Sequence, residues 1–241
     1  AGRGPDATQD QVDAEVVRRT IPMGLVPSYI GEVFDSAKGR AEVLPMPISR
    51  DRVRYRERTG PARTFVHVAA TPYHDRNGTE IVRQALAHYD GPEIELHLVG
   101  PPETHGLREP ARVGPVHVIP VGPVRDYWER WETGDALVLP RRYGGLSLVA
   151  QEALAAGLAV LMLDREPERR WPIRRAHAGE EHLEHMKGGA IGVFSGAPVS
   201  LAEQMRYLAL TELAHWSAFA DRWSATMSWE TLLSRWVEAL A

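Results

Sequence analysis

The sequence predicts an α/β domain built on a doubly wound parallel sheet. From Thr64 onward, short β-branched and aromatic runs alternate with helical patterns, as in strands joined by crossover helices. The 241 residues suffice for one good-sized domain, or for one domain plus a fragment of another. The apolar share of 44% and the charged share of 25% match an ordinary globular chain, and no internal repeat is visible.

The elements follow in order. Residues 7–19 read as a polar segment of helical character. Ile21–Val26 is a short apolar run, a helical pattern follows through Tyr29, Ile30, Val33 and Phe34, and Ala41–Leu44 is a short strand that Pro45 and Pro47 end, since proline cannot donate to a ladder. Residues 49–62, with arginine at 50, 52, 54, 56 and 58, read as a linker bounded by prolines. Thr64–Val68 is a strand, and Gly78 leads a helix with Ile81, Val82, Ala85, Leu86 and Tyr89 on its apolar face. Strands Ile94–Val99 and Val116–Ile119, a short helix Asp126–Trp131, strand Ala136–Leu139, helix Ser147–Ala156 stopped by Gly157, and strands Ala159–Leu163 and Ala190–Phe194 come next. Three helical patterns close the chain, at about 200–209, 212–223 and 229–240.

Composition excludes several classes. A net charge of -4 argues against a broad nucleic-acid-binding surface. No run approaches the ~18 apolar residues of a membrane span, and the first residues carry no apolar core of a signal peptide. With no cysteine there is no disulfide and no thiolate metal site, which suits a cytoplasmic location. Lysine occurs only at Lys38 and Lys187; every other basic residue is arginine, the side chain suited to bidentate phosphate contacts.

The chemistry concentrates between Pro140 and Leu163. Between Tyr143 and Leu163 the single charge is Glu152, on a helix that is apolar nearly all round and therefore expected to be buried. A carboxylate there must be paired or hydrogen-bonded. Two readings stand: an internal salt bridge or backbone cap, or a carboxylate held to grip ligand hydroxyls. The loop before it, Arg141-Arg142-Tyr143-Gly144-Gly145-Leu146, leaves a strand and enters the helix at Ser147. Glycines let a ligand approach the backbone, and a helix N-terminus offers free N–H groups and a positive dipole end. Two arginines stand at the carboxyl end of the strand, where open α/β sheets bind ligands. The loop is a place for a phosphate, or an ordinary strand-to-helix turn.

Leu137-Val138-Leu139-Pro140, Gly144-Gly145-Leu146-Ser147-Leu148 and Glu152-Ala153-Leu154-Ala155-Ala156-Gly157 together resemble the signature of group-1 (family-4-type) GT-B glycosyltransferases, in a form associated with bacterial and phage members. The likeness continues in Val43-Leu44-Pro45-Met46-Pro47, in Phe65 to Gly78, and in Ser228-Trp229-Glu230. The resemblance implies a Rossmann-like donor domain and retaining transfer of a sugar from a nucleotide-sugar, with no metal and no cofactor beyond that substrate. It implies a donor site formed by His74, Arg76, Arg141, Arg142, Tyr143, Gly144, Gly145, Leu146, Ser147 and Glu152. Arg76, Arg141 and Arg142 would face the diphosphate, and Glu152 the ribose hydroxyls. It divides the chain into a remnant of an N-terminal acceptor domain (1–48), a linker (49–62), a nucleotide-sugar-binding domain (63–226) and a C-terminal helix (227–241). A full member would carry a further domain before residue 21, and the chain alone is expected to transfer little or no sugar. The acceptor class (protein, glycan, lipid or modified nucleobase) and the oligomeric state are not specified by these motifs.

The sequence departs from the family at one telling place. The family's first glutamate falls on Gly144, or on Arg142 with a two-residue insertion, and neither is a carboxylate. A non-catalytic glycosyltransferase-like module is therefore the alternative function. Another nucleotide-sugar enzyme with a Rossmann-like sheet is disfavoured, because no Gly-x-Gly-x-x-Gly follows the first strand. Glu180, Glu181, His182, Glu184 and His185 read as a solvated charged segment rather than a metal cluster, since the His-Glu-x-x-His pattern is absent. The tryptophans at 128, 131, 216, 223, 229 and 236 read as packing residues.

Overall fold

The computed structural model describes residues 23–27, 40–44, 46–69, 75–122, 128–141, 147–163, 175–176 and 191–240. Among them, β1 (Met23–Pro27) and β2 (Arg40–Leu44) pair in parallel as a two-stranded sheet. The main sheet contains β3 (Thr64–Val68), β4 (Ile94–Val99), β5 (Ala111–Val113), β6 (Val116–Val121), β7 (Ala136–Leu139), β8 (Ala159–Leu163), β9 (Arg175–Ala176) and β10 (Ile191–Phe194). Its order is β5-β6-β4-β3-β7-β8-β10-β9, parallel throughout except for the β5–β6 hairpin. The helices are α1 (Thr79–Leu86), α2 (Pro102–His105), α3 (Leu148–Ala155), α4 (Pro198–Leu210), α5 (Ala214–Thr226) and α6 (Trp229–Leu240), with a 3-10 turn at Glu129–Trp131.

Two cores cover the sheet, one on each face, and the strand residues divide between them by alternation. Phe65, Leu96, Leu98, Ala136, Val138, Ala159, Leu161 and Phe194 meet α1 and α4. Val66, Val99, Leu137, Leu139, Val160, Met162, Ile191 and Val193 meet α3, α5 and Trp131. Strands β7 and β8 are apolar on both faces because both faces are covered, the condition for a parallel sheet. The expected α/β, doubly wound class is the observed one. Trp131, Trp216 and Trp223 are buried in these cores, as packing residues should be. Trp229 is exposed, and its ring meets that of Trp236.

The segment 46–62 runs across the amino-terminal end of the sheet. Ile48 bridges to Ser228 at the start of α6, Val53 is buried, and Arg50 pairs with Asp221. Arg54 pairs with Glu132 and Arg56 with Asp135, so these arginines lie against acidic partners of the sheet domain. Arg58 is almost wholly buried and donates to the carbonyls of Arg56, Trp131, Gly134 and Ala156. Composition alone reads this stretch as polar; the charges of Arg50, Arg54, Arg56 and Arg58 are taken up by the domain it crosses.

Four features differ from the sequence reading. The β5–β6 hairpin and α2 are additional, both within the Pro- and Gly-rich stretch between β4 and β6. Within the described residues, 129–131 form a 3-10 turn in the stretch read as a short helix. The helix at 148–155 is not covered all round: Leu148 is exposed, and Val149 and Glu152 are only half-buried. Ser147, Ala150, Gln151, Leu154 and Ala155 form its covered side. Its apolar outer turn is thus available to something besides the core. No helix among the described residues is long and apolar enough to cross a membrane.

Candidate functional site

The chain reverses its direction of travel across the sheet at β3. From β3 it passes through α1 to β4 on one side, and it later returns to β7 on the other. Helices α1 and α3 belong to opposite cores. The carboxyl ends of β3 and β7 therefore form a topological switch point, the crevice where open α/β sheets bind ligands.

Two loops meet there. After β3, Asn77 donates from Nδ2 to the carbonyl of Val68 at 2.8 Å, folding the loop back on the strand end. Gly78 adopts φ +74°, and a Cβ at that position would lie 2.3 Å from the carbonyl oxygen of Pro140, which leaves β7. Only glycine satisfies both demands. Gly78→Ala is expected to destabilise the fold by about 2–4 kcal/mol, from left-handed strain plus overpacking against Pro140. Urea denaturation checks it, and an unchanged midpoint would mean that the two loops do not bear on each other.

The two helix N-termini at the crevice differ. At α1, the Asp75 carboxylate accepts the Thr79 N–H at 2.6 Å and the Glu80 N–H at 3.2 Å, so the chain supplies its own anion. At α3, Ser147 is the N-cap and its Oγ accepts the Ala150 N–H at 3.3 Å. The first four N–H groups of a helix lack intrahelical partners; Ser147 satisfies one, and those of Leu148 and Val149 lie in the same first turn. Arg141 is buried just past the end of β7, with its N–H bonded to Leu139 at 2.7 Å.

Beneath the crevice sits His67, fully buried on β3. Its Nδ1 lies 2.9 Å from the carbonyl of Val138 on β7, and its Nε2 lies 2.9 Å from Thr79 Oγ1 on α1. A carbonyl only accepts, so Nδ1 carries the proton and Nε2 accepts the threonine hydroxyl. Burial pushes the imidazole down to about 4, with the Val138 carbonyl opposing. The ring is neutral and fully hydrogen-bonded.

Of the expected site residues, the structure brings Arg141 and Ser147 to the crevice. Arg76 stands exposed in the loop between β3 and α1, and Glu152 half-buried in the second turn of α3. His74, Arg142, Tyr143, Gly144, Gly145 and Leu146 lie outside the described residues, as do Glu180 to His185. Among the described residues no group of three or more His, Asp or Glu side chains is placed to hold a metal ion. Sequence reasoning missed His67, Asp75, Thr79 and Gln151. Gln151 is buried next to Glu152 with neither amide atom hydrogen-bonded. A signal for His67 existed: a lone imidazole in a strand expected to be covered on both faces must find partners on its neighbours.

Residues 62–208 match the family described as "Glycosyl transferases group 1". Among curated proteins no sequence matches. Similar solved structures include HepE of Anabaena, solved with UDP and glucose (TM-score 0.70, 15% identity, covering 98% of this chain and 68% of that one). TarM of S. aureus, solved with UDP among its ligands, has a TM-score of 0.65 at 13% identity, covering 95% of this chain and 45% of that one. The sucrose-phosphate synthase of Thermosynechococcus elongatus has a TM-score of 0.60 at 14% identity, covering 100% of this chain and 65% of that one. At these identities the likeness is one of fold.

Proposed function

The chain belongs to the group 1 glycosyl transferases, and from that premise we propose that it binds a nucleotide-sugar at the β3/β7 crevice and serves retaining, metal-independent sugar transfer. One observation carries the reading. At the switch point, the buried Arg141 and the Ser147-capped first turn of α3 both follow the carboxyl end of β7. N–H groups and a guanidinium fixed in place stabilise the charge that develops on a diphosphate leaving group, without reorganising during the reaction. UDP is the first nucleotide to test, because HepE was solved with UDP-glucose.

In this reading Arg76, Arg141 and Arg142 serve the diphosphate. Gly144, Gly145 and Leu146 offer backbone contacts, with His74 and Tyr143 beside them, and Glu152 takes the ribose. The half-burial of Glu152 supports the ligand role, since a carboxylate that is partly exposed can be reached by a hydroxyl. The domain limits at 48, 62 and 226, and a cytoplasmic location, belong to the same proposal. A non-catalytic glycosyltransferase-like module serving structure or interaction is the second reading. It is favoured by the lack of a carboxylate where the family's first glutamate falls; the chain spans 45% to 69% of the lengths of HepE and TarM.

Calorimetric titration with UDP, GDP, ADP and CDP in the presence of a chelator tests the proposal, and binding of none of them would overturn it. Glu152→Gln keeps the side chain's volume and removes its charge. Charge-assisted hydrogen bonds contribute about 1.5–3 kcal/mol each, so affinity is expected to fall ~10-fold or more with little change in melting temperature. A large loss of stability at unchanged affinity would assign Glu152 to the fold instead.

A further inference from the structure

We propose that His67 and Thr79 form a latch that sets the relative position of the two crevice loops, so that both residues govern nucleotide affinity without touching the nucleotide. The inference rests on the reading of the crevice as a nucleotide-sugar site. It assigns a positioning role to a pair that the sequence motifs do not mark.

The latch joins three elements with two hydrogen bonds. His67 stands on β3, donates from Nδ1 to Val138 on β7, and accepts at Nε2 from Thr79 at the start of α1. One neutral tautomer satisfies both partners, so the ring fixes a direction as well as a distance. An apolar side chain at this position, such as Phe65 on the same face, would fill space without orienting either neighbour.

Both ends lead directly into the proposed donor site. Three residues beyond Val138, just past the end of β7, is Arg141. Three residues before Thr79 is Arg76, and the Thr79 N–H is itself held by Asp75. Between these ends the loops touch, with Gly78 packed against Pro140. The path Val138–His67–Thr79–Asp75 thus ties the exit of β7 to the first turn of α1 from below, while Gly78 and Pro140 tie them from above. Loosening the lower tie lets α1 shift relative to β7. Groups that must converge on one diphosphate then no longer do so, and misplacement of a positioned group by about 1 Å is costly.

Thr79→Val keeps the shape and removes the hydroxyl, whereas Thr79→Ser keeps the hydroxyl. Ile94→Val, at the amino-terminal end of β4, the end of the sheet away from the crevice, is a control for lost core packing. Each protein is titrated calorimetrically with the tightest-binding of UDP, GDP, ADP and CDP, well below its melting temperature. Thr79→Val is expected to bind roughly tenfold more weakly, with Thr79→Ser and Ile94→Val within about twofold of the unmodified chain. If Thr79→Val does not fold, His67→Asn serves in its place, keeping the donor near Nδ1 and losing the reach to Thr79. Wild-type affinity in the latch variant would overturn the inference alone, as would an equal loss in Ile94→Val, which would show affinity following stability. Failure of the unmodified chain to bind any of the four nucleotides would overturn the donor-site reading and the latch with it.

Discussion

Replacing Arg58 with alanine is expected to lower the unfolding free energy by about 4 kcal/mol, a large part of the 5–15 kcal/mol typical of a domain. Arg58 is buried and donates to four backbone carbonyls, and no carboxylate of the described residues forms a salt bridge with it. Two of those carbonyls keep a second donor from Arg56: Gly134 from its guanidinium and Ala156 from its backbone N–H. Those of Arg56 and Trp131 lose the donor that Arg58 supplies, at about 2 kcal/mol each. Loss of the buried stem leaves a cavity worth about 3 kcal/mol. Opposing this is relief of a buried charge, since burial, with the nearby Arg56 adding to it, pushes the Arg58 guanidinium down to about 10. That relief is about 3 kcal/mol, at 1.36 kcal/mol per pKa unit. Arg58→Met keeps the stem and should therefore lose only about 1 kcal/mol. Urea unfolding of the two variants separates the contributions. An equal loss in both would mean that the guanidinium, rather than its stem, holds the segment 46–62 to the sheet.

Acid is expected to remove about 3 kcal/mol of stability between pH 6.5 and pH 4 through His67 alone. Its ordinary value is 6.5, and burial in the fold holds it near 4. Across that window the unfolded chain takes up a proton that the folded chain refuses, so the unfolded state binds more protons. Stability therefore falls as pH drops from 6.5 and levels off below about 4, with no contribution from this residue above pH 7. His67→Asn cannot titrate, and the difference between its stability–pH curve and that of the unmodified chain isolates the residue. The exposed Glu93, held low by the His117 and Arg112 side chains, adds an acid-side loss that is common to both curves and cancels. A curve for His67→Asn parallel to that of the unmodified chain across this window would show that the imidazole is not buried as a neutral ring.

The class of the fold and most of its elements are legible in the pattern of residues along the chain. Strands β7, β8 and β10 are read directly because each is a short run apolar on both faces, and β3 and β4 because β-branched, aromatic or alternating apolar residues mark them. The stretch Pro140 to Gly157 could be singled out because a lone carboxylate, two glycines and two arginines stand out against an apolar background. Local pattern reports what each element needs from its surroundings, and it does so without naming the neighbour that supplies it. The order β4-β3-β7 that creates the crevice came only from the tertiary structure, because packing between segments some 70 residues apart fixes which strands adjoin. The same reason explains the residues that were missed. Arg58 reads as linker and His67 as a strand residue of either face until the carbonyls of Trp131, Gly134 and Val138 are brought beside them. A buried polar group is defined by its partners, and those partners are distant in sequence. Periodicity could therefore place the helix that carries Glu152, while only the packed fold could show that its outer turn is exposed and that α1 already holds an anion of its own in Asp75.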